Sequence, residues 1–175
     1  MATIPMGYEV SATPLQIVCA YGAIANNGRM MRPFVVKKCI RSDGQVKWVR
    51  NPMVVRQCIP KEITDTLTAM LRGVVVKGTA QKANSEFVKI AGKTGTTHKQ
   101  KKGERGYYEN EFYASFVGYA PFDNPVIVGL IVIDNPRSGG YYGGVVAAPV
   151  FRAVLEKAIS SGVINLPQRK GITVK

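Results

Sequence analysis

The sequence predicts an α+β fold in which an antiparallel sheet is flanked by helices. Two observations lead to this prediction. The periodic segments run in the order helix, hairpin, helix, three strands and helix, and the three strands follow one another through polar connections at 98–110 and 123–125. Such an order indicates helices packed on an antiparallel meander. The 175 residues, 46% hydrophobic and 20% charged, suit one globular domain without internal repeats.

The first helix and the hairpin have clear local signals. Thr13 can cap the helix, Pro14 suits its first position, and Gln16 completes a capping box. The pair at 27–28, Asn-Gly, is a typical stop. Residues 32–40 and 45–50 then read as two strands joined by a Ser-Asp-Gly turn, which predicts a hairpin.

Two further helices are predicted from apolar stripes. One begins at Ile59-Pro60 and ends near Lys77-Gly78, and the other runs from Pro149 to about Ser160. We expect the sheet-facing residues of the first to be Ile63, Leu67, Met70, Leu71 and Val74. For the second, the expected inward residues are Val150, Val154, Leu155 and Ala158.

The three consecutive strands are predicted at about 87–98, 111–120 and 126–133. The third is apolar at nearly every position, which indicates a strand covered on both faces. The glycine-rich segment 134–144 follows it and lacks the spacing of a phosphate-binding loop. Its glycines are therefore interpreted as turn formers.

Charge is the most unusual feature of the composition. The chain carries 24 basic and 11 acidic residues, a net charge of +13. This balance suits nucleic acid, anionic lipid or an anionic cell-wall polymer. Basic clusters at 99–105 and 169–175 are interpreted as a solvated loop and tail. We predict a domain over residues 1–166 and a disordered basic tail over 167–175.

Metal and cofactor signals are missing from the sequence. Cys19, Cys39 and Cys58 have no metal-ligand spacing, and His98 is the only histidine. Cys19 is expected to be a small buried residue of the first helix. We therefore predict no metal and no cofactor. The first residues lack the basic start and apolar run of a signal peptide, and no transmembrane run is present.

The stretch Lys93-Thr94-Gly95-Thr96 places a cation, two hydroxyls and a glycine along the first strand of the sheet. A glycine inside a strand usually marks a bulge or the close approach of another backbone. An ammonium and two hydroxyl donors beside it suit an incoming carboxylate. Taken alone, an ordinary strand with an exposed lysine and β-favouring threonines is the simpler interpretation.

Further segments of the sequence favour the carboxylate-binding interpretation over the ordinary strand. Lys-Thr-Gly is one of three signatures of serine penicillin-binding proteins and active-site serine β-lactamases. Five other segments are similar to the same family: 7–16, Gly78-Thr79-Ala80, 116–121, 126–133 and 142–151. Together they resemble class B penicillin-binding proteins, the peptidoglycan D,D-transpeptidases of cell elongation and division. The resemblance runs to about Pro167.

The resemblance implies roles for residues of the motif strand. Lys93 would supply positive potential for the substrate carboxylate and for a proton relay, and Thr94 and Thr96 would hydrogen-bond that carboxylate. Gly95 would let the substrate lie along the strand as an added strand. The backbone N–H of Thr96 would be one oxyanion donor. Thr97 completes the predicted substrate-binding residues.

The family also needs a nucleophilic Ser-x-x-Lys and a Ser-x-Asn, and neither pattern occurs in the 175 residues. Thr79 has a lysine three positions on but lies in the Gly-Thr-Ala segment, so we interpret that spacing as coincidence. The sequence therefore predicts the C-terminal part of a transpeptidase domain. The parent protein would be a serine-type enzyme that forms an acyl-serine and is inhibited by β-lactams. The isolated chain is expected to be inactive.

The resemblance also implies partners and a location. Stem peptides and β-lactams would bind the intact protein, and the N-terminal part of the same domain would pack on this chain. The 126–133 strand edge, left without a neighbour, would favour a homo-oligomer. The location would be the bacterial cell envelope, on the outer side of the cytoplasmic membrane, with an anchor outside this sequence.

Two other interpretations stay open. One is a basic binding module for an anionic polymer such as nucleic acid, although no helix-turn-helix, zinc or RNA-recognition signature supports it and nucleic acid is not the expected partner. The other is a structural half-domain that only completes a fold with its partner.

Overall fold

The computed structural model describes residues 10–101 and 103–166. The predicted tail and the first part of the segment 7–16 lie outside the described residues. The helices are α1 (Pro14–Ala25), α2 (Lys61–Val76), a short 3-10 helix (Gln81–Ala83), α3 (Gly143–Val146) and α4 (Ala148–Ser160). The strands are β1 (Arg29–Met31), β2 (Lys38–Ile40), β3 (Val46–Val49), β4 (Val54–Gln57), β5 (Ala91–Gln100), β6 (Tyr107–Ala120) and β7 (Ile127–Asp134).

The predicted meander is confirmed. Strands β5, β6 and β7 form an antiparallel sheet in that order. One face of the sheet packs on α4, where the rings of Phe116 and Phe151 lie 5.1 Å apart. The other face packs on α1 and α2, where the buried Tyr119 forms a 2.8 Å hydrogen bond between its Oη and Thr68 Oγ1. Helices therefore cover both sides of the sheet, and because its strands are antiparallel the fold is α+β, as predicted.

The first helix begins as its sequence predicts. The backbone N–H of Gln16 donates to Thr13 Oγ1 at 3.3 Å, and the Thr13 N–H donates to Gln16 Oε1 at 2.8 Å, completing the capping box. Gly28 follows the helix with a φ of +83°, a conformation that favours glycine. Cys19 was predicted to be buried, but its side chain is only half-buried.

The hairpin is confirmed as the pair β2–β3, but the predicted first strand is too long. Residues 32–37 are not in a strand, and Pro33 lacks the N–H that a ladder needs. A second pair, β1–β4, was not predicted. Its strands have three and four residues and are far apart in sequence, so no local signal announces their pairing.

The buried face of α2 differs from the predicted stripe. Ile63 and Met70 are 51% and 63% exposed, whereas Thr64 is 1% exposed. The face toward the sheet includes Thr64, Thr68 and Arg72, and each polar group there has a partner: Lys61 O, Tyr119 Oη and Ile90 O, respectively. Because these hydrogen bonds satisfy the polar groups, the helix can bury a face that hydrophobic periodicity does not identify.

The inward face of α4 is also corrected. Leu155 is buried as predicted, but Val150 and Val154 are 41% and 58% exposed. Phe151 takes the central position instead, 6% exposed against Phe116. Gly129 of β7 leaves room for it, since a Cβ there would lie 3.1 Å from the Phe151 ring.

The last strand, β7, is covered less than its apolar sequence predicts, because none of its residues is fully buried and Val132 is 45% exposed. Val128 lies toward Gly22 of α1, and Ile131 packs against the core that contains Phe151. In the part of the chain that the structure describes, β7 pairs only with β6, so its outer side is an edge. No helix of the described residues has the length and apolar character needed to span a membrane.

Candidate functional site

The motif strand β5 forms the opposite edge of the sheet. It pairs with β6 on one side, and no strand within residues 10–101 and 103–166 pairs with its other side. Such an edge presents backbone N–H and C=O groups that can receive an added strand. The motif 93–96 lies in the first half of this edge.

Side chains of the motif leave the strand on opposite faces. Cross-strand neighbours share a face, and Lys93 pairs with Val117 while Thr94 pairs with Phe116. Lys93 therefore lies on the face of α1 and α2, and Thr94 and Thr96 lie on the face of α4. The exposed Lys93 turns back toward its own strand, where Nζ donates to the carbonyl oxygen of Thr94 at 2.9 Å.

Both motif threonines have partners from outside the motif. Thr94 Oγ1 lies 2.7 Å from Thr79 Oγ1, and either hydroxyl can be the donor. Thr96 Oγ1 accepts a 3.0 Å hydrogen bond from the backbone N–H of Gly143 at the start of α3. Two distant segments thus contact the hydroxyls of one strand.

Three glycines make this close packing possible. A Cβ on Gly95 would lie 2.5 Å from Ser115 Oγ on β6. A Cβ on Gly143 would overlap the carbonyl oxygen of Ser115, and one on Gly144 would overlap that of Thr79. The pair 143–144 therefore lets α3 approach both β5 and the Thr79 backbone. The sequence predicts that the glycines of this segment form turns. That prediction holds for Gly139 and Gly140, with φ of +75° and +101°, whereas Gly143 and Gly144 instead allow close packing.

The strand continues past the motif with Thr97 and His98. Thr97 is exposed on the Lys93 face, and its hydroxyl donates to the carbonyl oxygen of His98 at 3.3 Å. The His98 ring packs on Phe112 with centroids 4.4 Å apart, and its Nδ1 lies 2.9 Å from the carbonyl oxygen of Tyr108. His98 therefore lies on the same face as Thr96, beyond it along the strand.

A cavity of about 780 Å³ opens beside Thr96. Its walls include His98 and Phe112 from the sheet and residues 136–142 from the glycine-rich loop. Tyr141 stacks on Phe112 with centroids 4.3 Å apart and donates a hydrogen bond to Tyr142 Oη. That hydrogen bond raises the pKa of Tyr141. The volume lies within the usual range for small-ligand pockets.

A charged cluster joins the far ends of the three strands. Lys99 Nζ lies 2.5 Å from Asp134 Oδ1 and 3.4 Å from Glu111 Oε2, and 5.1 Å from the centre of the Tyr113 ring. The hydrogen bond to Asp134 raises the pKa of Lys99. Because Asp134 ends β7, the cluster fixes the point where the glycine-rich loop leaves the sheet.

The described residues contain no group of three or more His, Cys, Asp and Glu side chains able to hold a metal. Among the predicted site residues, Thr94 and Thr96 come together on one face, and Lys93 reaches the same edge from the other. Sequence reasoning missed Thr79 and Gly143, which contact them. The available signals were the hydroxyl in Gly-Thr-Ala and the Gly-Gly pair before a helix.

Similarity to known proteins identifies the family of this chain. The family model for the penicillin binding protein transpeptidase domain matches residues 1–156. The chain belongs to this family. Relatives include stage V sporulation protein D of Bacillus subtilis, 35% identical over 161 residues. Another is the peptidoglycan D,D-transpeptidase FtsI of Escherichia coli, 35% identical over 155 residues.

These two alignments cover 90% and 88% of the chain but only 24% of each relative. The chain therefore spans about a quarter of the length of these relatives. Among solved structures, the transpeptidase domain of Burkholderia pseudomallei penicillin-binding protein 3 is 34% identical, with a TM-score of 0.77 over 95% of this chain and 48% of that chain. Penicillin-binding protein 3 of Mycobacterium tuberculosis with ampicillin is 29% identical, with a TM-score of 0.79 over 96% and 39%.

Proposed function

We propose that this chain is the C-terminal part of a peptidoglycan D,D-transpeptidase and supplies its substrate-binding strand. The observation that carries the proposal is the edge of β5, where the Lys93 ammonium arrives from one face and the Thr94 and Thr96 hydroxyls from the other. An acyl-D-alanyl chain laid along this edge would meet backbone groups at its centre and donors on both sides.

Each motif residue then has a distinct role. Lys93 provides positive potential for the substrate carboxylate and for proton transfer, while Thr94 and Thr96 donate hydrogen bonds to that carboxylate. Gly95 and Thr97 border the substrate along the strand. The N–H of Thr96 is one donor to the oxyanion of the tetrahedral intermediate, a role whose loss typically costs a factor of about 10²–10³ in turnover.

The nucleophile belongs to another segment of the proposed intact protein. A serine in Ser-x-x-Lys attacks the substrate amide, and an acyl-serine forms before the second peptide accepts the acyl group. Solved relatives support β-lactam sensitivity, since penicillin-binding protein A of M. tuberculosis forms acyl-enzyme complexes with ceftriaxone and imipenem.

The proposal extends to location and partners. The intact protein works in the cell envelope, anchored in the cytoplasmic membrane with this domain outside, in cell elongation or division. The N-terminal part of its own domain packs on this chain. In the 175 residues alone, the outer edge of β7 (Ile127–Asp134) is available for self-association.

The direct test is to express the intact reading frame that contains this sequence and treat the product with a fluorescent penicillin. Mass spectrometry should find the acyl group on a serine of an upstream Ser-x-x-Lys. An intact protein that lacks that pattern, or that is acylated on one of the seven serines of this chain, would contradict the proposal.

A second candidate function is favoured by one observation. Residues 29–57, here called the basic lobe, contain β1–β4 and carry a net charge of +7, from one aspartate and eight basic residues. All eight are exposed, and no ion pair joins any of them to a described carboxylate. The basic residues are Arg29, Arg32, Lys37, Lys38, Arg41, Lys47, Arg50 and Arg56. This distribution suits binding of an anionic polymer.

Salt separates this candidate from the first. Binding of a polyanion such as heparin should weaken steeply with ionic strength and fall further in Lys38→Gln/Lys47→Gln. Retention that persists at high salt, or that is equal in the double variant and in a matched Lys61→Gln/Lys82→Gln control outside the lobe, would remove it.

A further inference from the structure

The hydroxyls of Thr94 and Thr96 have different hydrogen-bond partners. The partner of Thr94 is a side chain outside the motif, that of Thr79. A hydroxyl has one proton to donate and two lone pairs that accept. Thr96 Oγ1 receives the N–H of Gly143 on one lone pair. Its own proton has no acceptor among the described residues, so it remains available to a ligand.

Thr94 has a hydroxyl, rather than an amide, as its partner. Thr79 Oγ1 and Thr94 Oγ1 are 2.7 Å apart, and the shared proton can come from either side. If Thr94 donates to Thr79, Thr94 has no proton left for an anion. If Thr79 donates to Thr94, the proton of Thr94 points away from Thr79 and is free.

We propose that Thr79 is a positioning residue that sets the Thr94 hydroxyl as a donor to a carboxylate at the β5 edge. An anion beside Thr94 selects the arrangement in which Thr79 donates to Thr94 and Thr94 donates to the anion. Hydrogen bonds in such a chain polarise one another, so the second bond is strengthened by the first. The backbone N–H of Gly143 orients the Thr96 hydroxyl in the same way, because it donates to Thr96 Oγ1 and leaves the hydroxyl proton free.

The packing around Thr79 supports a fixed geometry. Gly144 abuts the carbonyl oxygen of Thr79 so closely that a Cβ would overlap it, and that Cβ would also lie 3.3 Å from Thr94 Cγ2. The start of α3 therefore packs against both Thr79 and Thr94. The two contacts to the motif span 15 and 47 residues of sequence, so three separate segments define the donor directions.

The inference rests on the proposed carboxylate-binding function of β5, and a first experiment tests it on the 175-residue chain without requiring catalysis. Threonine methyl groups are labelled with carbon-13, and sodium acetate is titrated while their NMR shifts are followed. The wild-type chain should show shifts at Thr94 and Thr96. Thr79→Val should lose most of the Thr94 shift and keep that of Thr96, and Thr79→Ser should restore it.

Thr66→Val is the matched control, because the Thr66 hydroxyl donates only to Glu62 O on the outer side of α2. It should leave both shifts unchanged. An unchanged Thr94 shift in Thr79→Val would overturn the inference, as would the absence of any Thr94 shift in the wild-type chain.

A second experiment uses the proposed intact protein and two probes, a penicillin and its methyl ester. Thr79→Val should reduce acylation by the penicillin by up to about fivefold, the factor for one whole neutral hydrogen bond, because part of the Thr79–Thr94 bond is present before the penicillin binds. The ester lacks the carboxylate and should react with the variant and the wild type at similar rates. An equal loss with both probes would make Thr79 merely structural and overturn the inference.

A double-mutant cycle completes the test. If Thr79 acts through Thr94, Thr79→Val should have no further effect in a Thr94→Val background. Additive losses would overturn the inference. If the wild-type intact protein fails to react with either probe, the proposed transpeptidase function fails, while the acetate titration still decides the role of Thr79.

Discussion

The Lys93 ammonium donates to the carbonyl oxygen of Thr94, although the side chains of these two neighbours leave β5 on opposite faces. This follows from the two-residue period of a strand. Consecutive residues of a central strand could not contact one ligand in this way, because neighbouring strands would occupy both sides. The position of β5 at an edge is therefore what the proposed function of the tripeptide requires.

The electrostatic role of Lys93 is testable by truncation. In the intact protein, Lys93→Ala should reduce acylation by penicillin by a factor of about 10²–10³, as expected for loss of a main electrostatic contact to developing or bound charge. The melting temperature should stay nearly unchanged, since Lys93 is exposed and surface substitutions usually alter stability by less than about 0.5 kcal/mol.

Stopped-flow acylation and thermal denaturation measure the two effects separately. Lys89→Ala, on an exposed lysine just before the strand, is the matched control. Near-normal acylation of Lys93→Ala with an unaltered melting temperature would rule out the assigned role.

Tyr119 predicts a pH dependence of stability. Its ring is fully buried, and this burial raises its pKa above the ordinary value of 10.0. Between that value and the higher pKa of the folded state, the unfolded chain loses the phenolic proton and the folded chain keeps it. The unfolding free energy should therefore fall as the pH rises above about 10, while Tyr119 contributes no slope below it.

Urea denaturation at several alkaline pH values can isolate this contribution. Tyr119→Phe should flatten the fall, at a cost of about 1 kcal/mol at neutral pH for the lost hydrogen bond to Thr68. Tyr108→Phe, at an exposed position of β6, controls for the general effect of removing a phenol. Equal slopes for all three proteins would contradict the prediction.

At the scale of elements, Lys99 links the ends of β5, β6 and β7. Removing it in Lys99→Met should release Asp134 and loosen the start of the glycine-rich loop. The amide of Asn135, which donates to Phe112 O at 2.9 Å, should then exchange its hydrogen faster. Lys61→Met removes the exposed Lys61–Asp65 pair on α2 and should leave that amide unaffected. Unchanged exchange in Lys99→Met would show that the loop is held elsewhere.

The outer edge of β7 leads to a prediction about assembly. An unpaired strand edge is a template for pairing with another chain, and edge lysines oppose such pairing. We expect dimers or larger assemblies in light scattering and fewer of them in Val132→Lys. Val154→Lys, on an exposed apolar residue of α4, should not have this effect. A monodisperse wild-type monomer at high concentration would count against pairing through β7.

Elements with local signals were predicted well from the sequence. The capping box of α1, the turn of the β2–β3 hairpin and the meander all depend on residues close in the chain. The buried faces of α2 and α4 were predicted less well. Thr64 is buried because Lys61 O satisfies its hydroxyl, and Phe151 displaces valines because Gly129 makes space for it. Hydrophobic periodicity contains neither kind of information.

At the scale of the whole molecule, the site was predicted only as far as its motif. The sequence identified Lys93, Thr94 and Thr96 as a set, but it did not identify Thr79 and Gly143 as their partners. These contacts arise when the Gly-Thr-Ala segment and α3 fold back on β5. A single sequence shows the residues of each segment, whereas the distances between segments come only with the fold.

The division of the proposed enzyme between segments leads to a prediction for the 175 residues as a whole. Covalent labelling by a penicillin needs a serine oxygen activated by a nearby base and held against the β-lactam carbonyl. None of the seven serines of this chain has a lysine three residues on. The chain alone should therefore give no denaturation-resistant band with a fluorescent penicillin, even when it is folded.

Reversible binding is predicted separately, because the proposed carboxylate-binding residues Lys93, Thr94 and Thr96 all belong to this chain. Fluorescence polarisation should detect weak binding that disappears on denaturation, and Lys93→Ala should abolish it. A band that appears only after the chain is mixed with an upstream segment carrying Ser-x-x-Lys would support the split site. A stable band from the chain alone would mean that one of its own serines is activated, and the assignment of the nucleophile to another segment would fail.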